Sequence, residues 1–552
     1  MIANARIYEA GIFQEVFKTL AEINGGRLVA RVLKQEGVEY LFALSGGHID
    51  SIFQGCLDEG IRVIDARHEQ AAVFMAEGWA WVTGKPGVAA VTAGPGVTNA
   101  VTGLWNALGK AAPIIVFGGR SPMSEFEWGS LQDMDSLSLA QTVTKWARAG
   151  YETKRIAEYV SMAFRYALSG RPGPAYLEFP QDVLEAKINE DEIVLPTNYR
   201  TKARPQGDPT LIKEAVELLL AAKRPIIIAG SGVWWSQASE ELQEFAELTR
   251  IPVSAGHGII SDDHPLSIGG RGFGNQNANV VFLLGTRLDF RRRFGQPPAF
   301  SEDSKWIQVD IEPAEIGRNR PIDIGITGDA KAVLQQMIDE ARDRCQKRRE
   351  LPWIEQCRQE YKTQQEQFRV LMNSDNVPIL PARLCKEIRD FIDRDATTIV
   401  DGGEISGWAY MTLKCYEPGH FLGVTPTGTL GVGPSYAIAA KLAKPDKQVL
   451  LLSGDGSFGL NAMEFDTMVR HSLPIVSVVS NDGGWGMIVR LQQSKGPDRV
   501  VGTRLGFVRY DKMVEALGGY GEAVERPEDI RPALESAFAS GLPACVNVRV
   551  AH

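Results

Sequence analysis

Two acids set among glycines mark where chemistry could occur. Asp455 stops the apolar run 449–452 inside Gly454-Asp455-Gly456-Ser457, and Asp482 stops the run 475–479 inside Asn481-Asp482-Gly483-Gly484-Trp485-Gly486. At the carboxyl end of a parallel strand, glycine turns let backbone N–H groups approach an anion, and a carboxylate beside them suits a divalent cation holding a diphosphate. Taken alone, Gly-Asp-Gly-Ser reads equally well as a tight turn. The second acid changes that balance. It follows the first by 27 residues, one strand-helix-strand circuit, so both carboxylates can reach one sheet edge as the hard oxygen ligands that magnesium or calcium requires.

Glu69 and His48 offer proton chemistry. Glu69 follows the strand-like "RVID" and enters a helical stretch containing Ala71, Ala72, Val73 and Phe74. Apolar surroundings favour a protonated carboxyl, which suits proton exchange, although an acid at a helix start is ordinary in itself. His48 follows Gly46-Gly47 at another strand exit, where an imidazole can act as acid and base near neutral pH or simply bond its own loop.

Such residues meet only if the strands that carry them end together. With 552 residues the chain is too long for one core, and about 150 to 200 residues per domain implies three. The expected class is α/β: three consecutive doubly wound domains with mainly parallel sheets, because apolar bursts alternate with helix-length segments throughout. The expected boundaries are an amphipathic helical extension over 1–24, a first domain over 25–184, a polar linker over 185–208, a central domain over 209–345, a charged, glutamine-rich linker over 346–374, and a third domain over 375–552. "IAGSGVWW" at 229–236 has GxG without a third glycine and reads as a plain strand-to-helix turn.

Composition narrows the class further. A net charge of -9 argues against a nucleic-acid surface. The run Arg291-Arg292-Arg293 is too short to reverse this and reads as solvated or ion-paired. No stretch approaches the ~20 apolar residues of a membrane span, the N-terminus carries acids where a signal peptide is basic, and the six cysteines show no metal or redox spacing. A cytoplasmic protein with reduced thiols is expected.

The Gly-Asp-Gly-Ser turn followed by a strand ending in a polar, glycine-rich turn resembles the thiamin-diphosphate motif of the superfamily of acetolactate synthase, pyruvate decarboxylase and benzaldehyde lyase. The resemblance covers the chain from about residue 25 and implies the order pyrimidine-binding, central and diphosphate-binding domain. It implies that Asp455, Asp482 and the backbone carbonyl of Gly484 hold Mg²⁺, although the family usually has asparagine where Asp482 stands. It makes Glu69 the acid that hydrogen-bonds the thiamin pyrimidine and promotes loss of the thiazolium proton. It puts Pro95 and Asn99 of "TAGPGVTNA" beside that ring, and Leu430 of "GTLGVG" beneath the bent cofactor. Gly402, Gly403 and Glu404 of "DGGE", with Gly454, Gly456, Ser457 and Trp485, are expected on the diphosphate side.

Within the superfamily the motifs look closest to benzaldehyde lyase, in "RHEQAA", "TAGPGVTNAVT" and "PACVNVRVA" among others. That likeness makes His48 and Gln132 active-site residues. It implies reversible C–C cleavage and carboligation of 2-hydroxy ketones and aldehydes by a homodimer or homotetramer, with sites at the subunit interface. Ser45 and Ser406 depart from its pattern of larger side chains. "LGTRLDFRRRFGQPPAF", "SGRPGPAYLEFP" and "QVDIEPAEIG" also resemble 2-hydroxyacyl-CoA lyase, oxalyl-CoA decarboxylase and acetolactate synthase. An acyl-CoA or 2-keto acid substrate is therefore a second expectation, and a catalytically silent thiamin-binding scaffold a third. The sequence ends at its final strand, which weighs against a CoA-covering tail, and the short segment 264–280 leads to no expectation of FAD.

Overall fold

The computed structural model describes residues 22–256, 258–269, 272–345, 351–423 and 426–551. Strand β1 (Glu22–Asn24) begins the described chain. The first large sheet contains β2 (Tyr40–Ala43), β3 (Arg62–Asp65), β4 (Gly87–Val91), β5 (Ile114–Arg120), β6 (Trp146–Ala149) and β7 (Ala175–Pro180), in the order β3-β2-β4-β5-β7-β6. A short β8 (Lys187–Asn189) returns antiparallel to β1. The central sheet runs β10-β9-β11-β12-β13, from β9 (Pro225–Ala229), β10 (Val253–Ala255), β11 (Val280–Leu284), β12 (Lys305–Asp310) and β13 (Ile324–Thr327). The last sheet runs β15-β14-β16-β17-β19-β18, from β14 (Thr397–Asp401), β15 (Phe421–Leu422), β16 (Val449–Gly454), β17 (Val476–Asn481), β18 (Tyr520–Val524) and β19 (Ala544–Arg549).

Every pairing within the three large sheets is parallel. Helices cover both faces, so the strands are buried on both sides and read as continuous Val, Ile and Leu rather than alternating. The chain forms three doubly wound α/β layers, as its sequence leads one to expect. The first and last sheets share one strand order: second, first, third, fourth, sixth, fifth. Where the order reverses, between first and third strands, the helices leave on opposite faces and a crevice opens at the carboxyl ends. Those switch points are β2/β4, β9/β11 and β14/β16.

The first and last domains pack on each other through helix α1 (Glu69–Thr83) and other buried helices. All of α1 but Gln70, Trp81 and Thr83 is buried, the pattern of a helix enclosed on all sides rather than lying on a surface. Gly78 lets it approach α4 (Gly433–Ala443), since a Cβ there would lie 3.0 Å from the Tyr436 Cα. Across this seam the Tyr436 hydroxyl donates to Glu77 Oε1 at 2.7 Å. Asn106 of α2 (Pro95–Lys110) donates to Glu77 Oε2 at 2.8 Å. Phe74, Ala76, Tyr436, Ala439 and Val449 belong to one continuous core.

The connecting segments differ from a simple linker picture. Residues 1–21, expected as a helix, lie outside the described residues, while residues 22–24 of that extension form β1 and pair with β8 from the 185–208 segment. In the 346–374 segment, α3 (Pro352–Met372) is a helix whose first turns bury Trp353, Ile354 and Cys357. Its charged, glutamine-rich exposed face dominates the composition and conceals this narrow apolar stripe. All six cysteines are buried. Among the described residues, no helix is long and apolar enough to cross a membrane.

Trp353 sits 3% exposed and donates its indole N–H to Pro225 O at 2.9 Å. Trp353→Ala is expected to destabilise the central domain by about 3–5 kcal/mol, measured as a shift in the denaturant midpoint without a change in the far-ultraviolet spectrum of the folded state.

Candidate active site

The last sheet sends three turns to one edge. β14 pairs with β16, and β16 with β17, with Gly454 opposite Ser480. Gly402, Asp455 and Asp482 therefore leave the sheet side by side. Asp455 is 2% exposed, and its Oδ2 has no hydrogen-bond partner. Burial, then the neighbouring Asp482 carboxylate, push its pKa well above the usual carboxylate range. Two carboxylates pressed together without a cation are unfavourable unless one keeps a proton or a metal joins them. The donor set, hard oxygens at a glycine-rich edge, fits a divalent cation.

The turns around the acid pair pack too closely for a side chain at Gly402, Gly403 or Gly456. A Cβ on Gly456 would stand 2.8 Å from the Trp485 ring, so only glycine lets the indole lie against that turn. Gly402 has φ 118°, and a Cβ there would lie 3.0 Å from Gly454 N. A Cβ on Gly403 would meet Met487 Sδ at 2.7 Å. Glu404 is ion-paired with Arg490. The Gly484 N–H donates to Asp482 Oδ1 at 3.1 Å. The backbone of Gly484 thus lies at the acid pair.

The Ser457 hydroxyl donates to Asp401 Oδ1 at 2.5 Å and accepts from Gly431 N at 3.0 Å, so its side chain braces the loop, while its backbone N–H stands in the first turn of the helix Asp455–Asn461. Asp401, fully buried at the end of β14, also accepts from Gly433 N at 2.8 Å. Together they hold the turn on which half-buried Leu430 sits. Asp401 was missed in the sequence. The signal was an acid ending "TTIVD" immediately before the glycine pair that leads to Glu404.

The first sheet carries a second constellation. Glu69, 6% exposed, is the first residue of α1, and its Oε2 accepts from Asn99 Nδ2 at 3.0 Å. Pro95 opens α2, where its fixed φ and missing N–H cost nothing. The preceding Gly94 has φ 56°, and a Cβ there would lie 2.8 Å from Gln132 O. Gln132 itself has φ 60°, a strained choice for a side chain that bears no glycine-like freedom. His48, buried after β2, places Nδ1 3.1 Å from Thr92 Oγ1. Burial lowers the His48 pKa, opposed by a hydrogen bond to the Leu131 backbone. His48, Thr92 and Gln132 line one cavity of about 630 Å³, with Ser45 at its wall and Glu125, Asp182 and Glu185 also lining it. Sequence reading missed Thr92, a residue distinguished only by the strand exit it occupies.

The structure thus brings His48 and Gln132 together, Glu69 and Asn99 together, and the Asp455–Asp482 pair together with Gly402, Gly456 and Trp485. A third crevice, about 490 Å³, opens where the central domain meets the first and last. Arg171, Arg287, Arg291 and Lys110 line it beside Gly232 and Asp310. Arg287 Nη2 donates to Gly109 O at 2.6 Å, Arg171 Nη2 to Leu108 O at 3.1 Å, and Arg291 pairs with Asp289. Burial raises the Asp310 pKa to about 6.

Three family models match in sequence order: the N-terminal TPP binding domain of thiamine pyrophosphate enzymes at 23–139, their central domain at 212–337, and their C-terminal TPP binding domain at 401–548. The chain is a thiamine pyrophosphate enzyme. It is similar to a probable acetolactate synthase of Mycobacterium bovis, 38% identical over 532 residues and 95% of each chain. It is also similar to a 2-hydroxyacyl-CoA lyase of Arabidopsis thaliana, 32% identical over 554 residues and 96% of each chain. An oxalyl-CoA decarboxylase of Escherichia coli is 31% identical over 539 residues, covering 95% of this chain and 94% of its own. These matches support the thiamine pyrophosphate family and its acetolactate synthase and 2-hydroxyacyl-CoA lyase branches. The finer likeness to benzaldehyde lyase rests on the sequence motifs alone.

Gly456→Ala is expected to weaken thiamin diphosphate binding by at least ~10-fold, because the methyl group must displace the Trp485 ring; calorimetric titration in Mg²⁺ measures it. The buried His48 ring is expected to titrate below the ordinary histidine value of 6.5, so that it is neutral at pH 7; the shift of its ring carbon signal with pH reads this directly.

Proposed function

We propose that this thiamine pyrophosphate enzyme is a lyase and carboligase that breaks and makes the bond between the carbonyl and carbinol carbons of 2-hydroxy ketones, releasing or joining aldehydes. The observation that carries the reading is the His48 cavity. It offers a neutral imidazole, a strained glutamine and a threonine hydroxyl, and among the described residues lining it none is lysine or arginine. Three carboxylates, Glu125, Asp182 and Glu185, stand there instead. A 2-keto acid would bring its own negative charge toward these groups without a cation to receive it, whereas an uncharged hydroxy ketone meets only hydrogen-bonding groups.

Asp455 and Asp482 would hold Mg²⁺ against the diphosphate, with the Gly402, Gly403 and Gly456 turns alongside and Leu430 under the bend. Thiamin diphosphate supplies, when bound, the carbon that stores the electron pair released as the C–C bond breaks. With Oε2 of Glu69 engaged by Asn99, Oε1 would exchange a proton with the pyrimidine. His48 would accept the proton of the substrate's 2-hydroxyl, and its bond to Thr92 would fix the ring for that task. The Gln132 amide would donate to the carbonyl oxygen as charge collects there. Sites of this kind are proposed at a subunit interface in a homodimer or homotetramer.

A second reading, cleavage of a 2-hydroxyacyl-CoA, is favoured by the arginine-lined crevice of about 490 Å³, whose charge suits a phosphate-rich carrier.

Purified protein with thiamin diphosphate and Mg²⁺ is to be given benzoin or an aliphatic acyloin, a 2-hydroxyacyl-CoA, and pyruvate in parallel. Aldehyde release from the acyloin is expected to exceed pyruvate consumption by at least ~10-fold in kcat/KM; the reverse order contradicts the proposal, and a dominant rate on the CoA thioester selects the second reading. Glu69→Gln is expected to lower all such rates by at least ~10²-fold.

A further inference from the structure

Glu464 is a buried acid with no part in the mechanism above. It is 1% exposed, on the diphosphate-binding side of the seam between the first and last domains. Its Oε1 accepts from the backbone N–H of Arg67 at 2.9 Å, and its Oε2 from the Thr467 hydroxyl at 2.8 Å. The His68 N–H is also directed at it. Arg67 and His68 are the two residues immediately before Glu69. His68 in turn caps α1, its Nδ1 accepting from Gln70 N at 3.0 Å.

The same short helix, Glu464–Arg470, grips the residue at the end of β3 as well. Arg470 Nη2 donates to Asp65 O at 2.9 Å, Arg470 is ion-paired with the Asp65 carboxylate, and His471 Nε2 lies 2.8 Å from Asp65 Oδ1. The stretch 65–68, which joins β3 to Glu69, is thus held by one element of the diphosphate-binding domain of its own chain. A carboxylate placed in such a seam is costly, since burial raises the Glu464 pKa to about 7. A neutral apolar side chain would fill the space at lower cost, but it could not receive the Arg67 N–H and the Thr467 hydroxyl, which the carboxylate takes on separate oxygens.

We propose that Glu464 is a positioning residue: by clamping the backbone N–H groups just ahead of α1, it sets the direction in which Glu69 presents its carboxyl to the cofactor. This rests on the reading of Glu69 as the proton-relay acid. Loss of the clamp frees the 65–68 stretch to pivot on β3 while leaving the Asp455–Asp482 edge, whose acids lie 9 residues before and 18 residues after Glu464, unchanged. The expected signature is a defect in proton exchange without a defect in cofactor binding.

The test compares the wild-type protein with Glu464→Ala, Glu464→Gln and Glu69→Gln. In the apo protein, amide hydrogen exchange of the peptide spanning residues 66–69 is expected to quicken by at least ~10-fold in Glu464→Ala. With thiamin diphosphate and Mg²⁺ bound, the exchange of the thiazolium carbon's proton for deuterium, read by rapid quench and proton spectra, is expected to slow by at least ~10-fold. Cofactor Kd and substrate KM are expected to stay within ~3-fold. Glu464→Gln keeps an acceptor for Arg67 and is expected to restore most of the rate.

Wild-type proton exchange in Glu464→Ala overturns the proposal. If Glu69→Gln slows exchange while Glu464→Ala does not, only the clamp fails; if Glu69→Gln also exchanges normally, the relay reading itself fails. Should Glu464→Ala not fold, Thr467→Val decides. It removes only the hydroxyl on the second oxygen, a slowing of ~3-fold supports the clamp, and an unchanged rate overturns it.

Discussion

The architecture answers to one electrostatic constraint: two carboxylates, Asp455 and Asp482, stand against each other at neighbouring strand exits with one oxygen unpartnered. Desolvated like charges repel strongly where water cannot screen them. The pair is relieved either by a proton kept on Asp455 or by a cation between the two acids, and a cation there calls for an anion beyond it. The glycines around the pair follow from that need, because each removes a side chain where a second backbone or a ring approaches: Gly456 under Trp485, Gly402 beside Gly454, Gly403 beside Met487. The polar groups that do remain nearby, Asp401 and Ser457, turn away from the edge to brace the Leu430 turn.

The two six-stranded sheets repeat one strand order, and each uses its switch point in its own way. At β14/β16 the crevice gathers acid and glycine. At β2/β4 it gathers His48, Thr92 and the Pro95 turn, with Glu69 arriving from the neighbouring β3. The central sheet's switch point, β9/β11, gathers Gly232, Gly285 and arginines instead. The same reversal between first and third strands therefore supplies three crevices, and the residues at the strand ends decide what each can hold. The seam between the first and last domains is what relates them. Glu77, Asn106 and Tyr436 close it with buried hydrogen bonds in the middle of α1, and Glu464 closes it at the start.

Much of this was legible in the chain. Strands such as 449–454 and 476–481 announce themselves as continuous β-branched and leucine runs, and their glycine-acid endings mark the functional edge. Glu69 and Asn99 lie 30 residues apart, and their hydrogen bond could be inferred only through the likeness to a known family. What the sequence hid were contacts that depend on how separate elements pack. Thr92 matters because β2 and β4 are neighbours. The Ser457 hydroxyl donates to Asp401 from another strand, a pairing that no local pattern announces. The helical connector Pro352–Met372 escapes notice because charged residues cover all but one stripe of it. Glu464 carries no local signal, since its partners are backbone N–H groups about 400 residues earlier.

The central claim is that the acid pair is a metal and diphosphate anchor and that Glu69 serves the opposite end of the same cofactor. The most direct measurement is a crystal structure of the protein grown with thiamin diphosphate and Mn²⁺, with the metal located by its anomalous scattering. The account expects a Mn²⁺ peak at about 2.0–2.3 Å from oxygens of both Asp455 and Asp482, with the diphosphate along Gly456 and a Glu69 carboxyl within hydrogen-bond reach of the pyrimidine. A metal bound elsewhere, or a cofactor whose pyrimidine lies away from every Glu69, would contradict it.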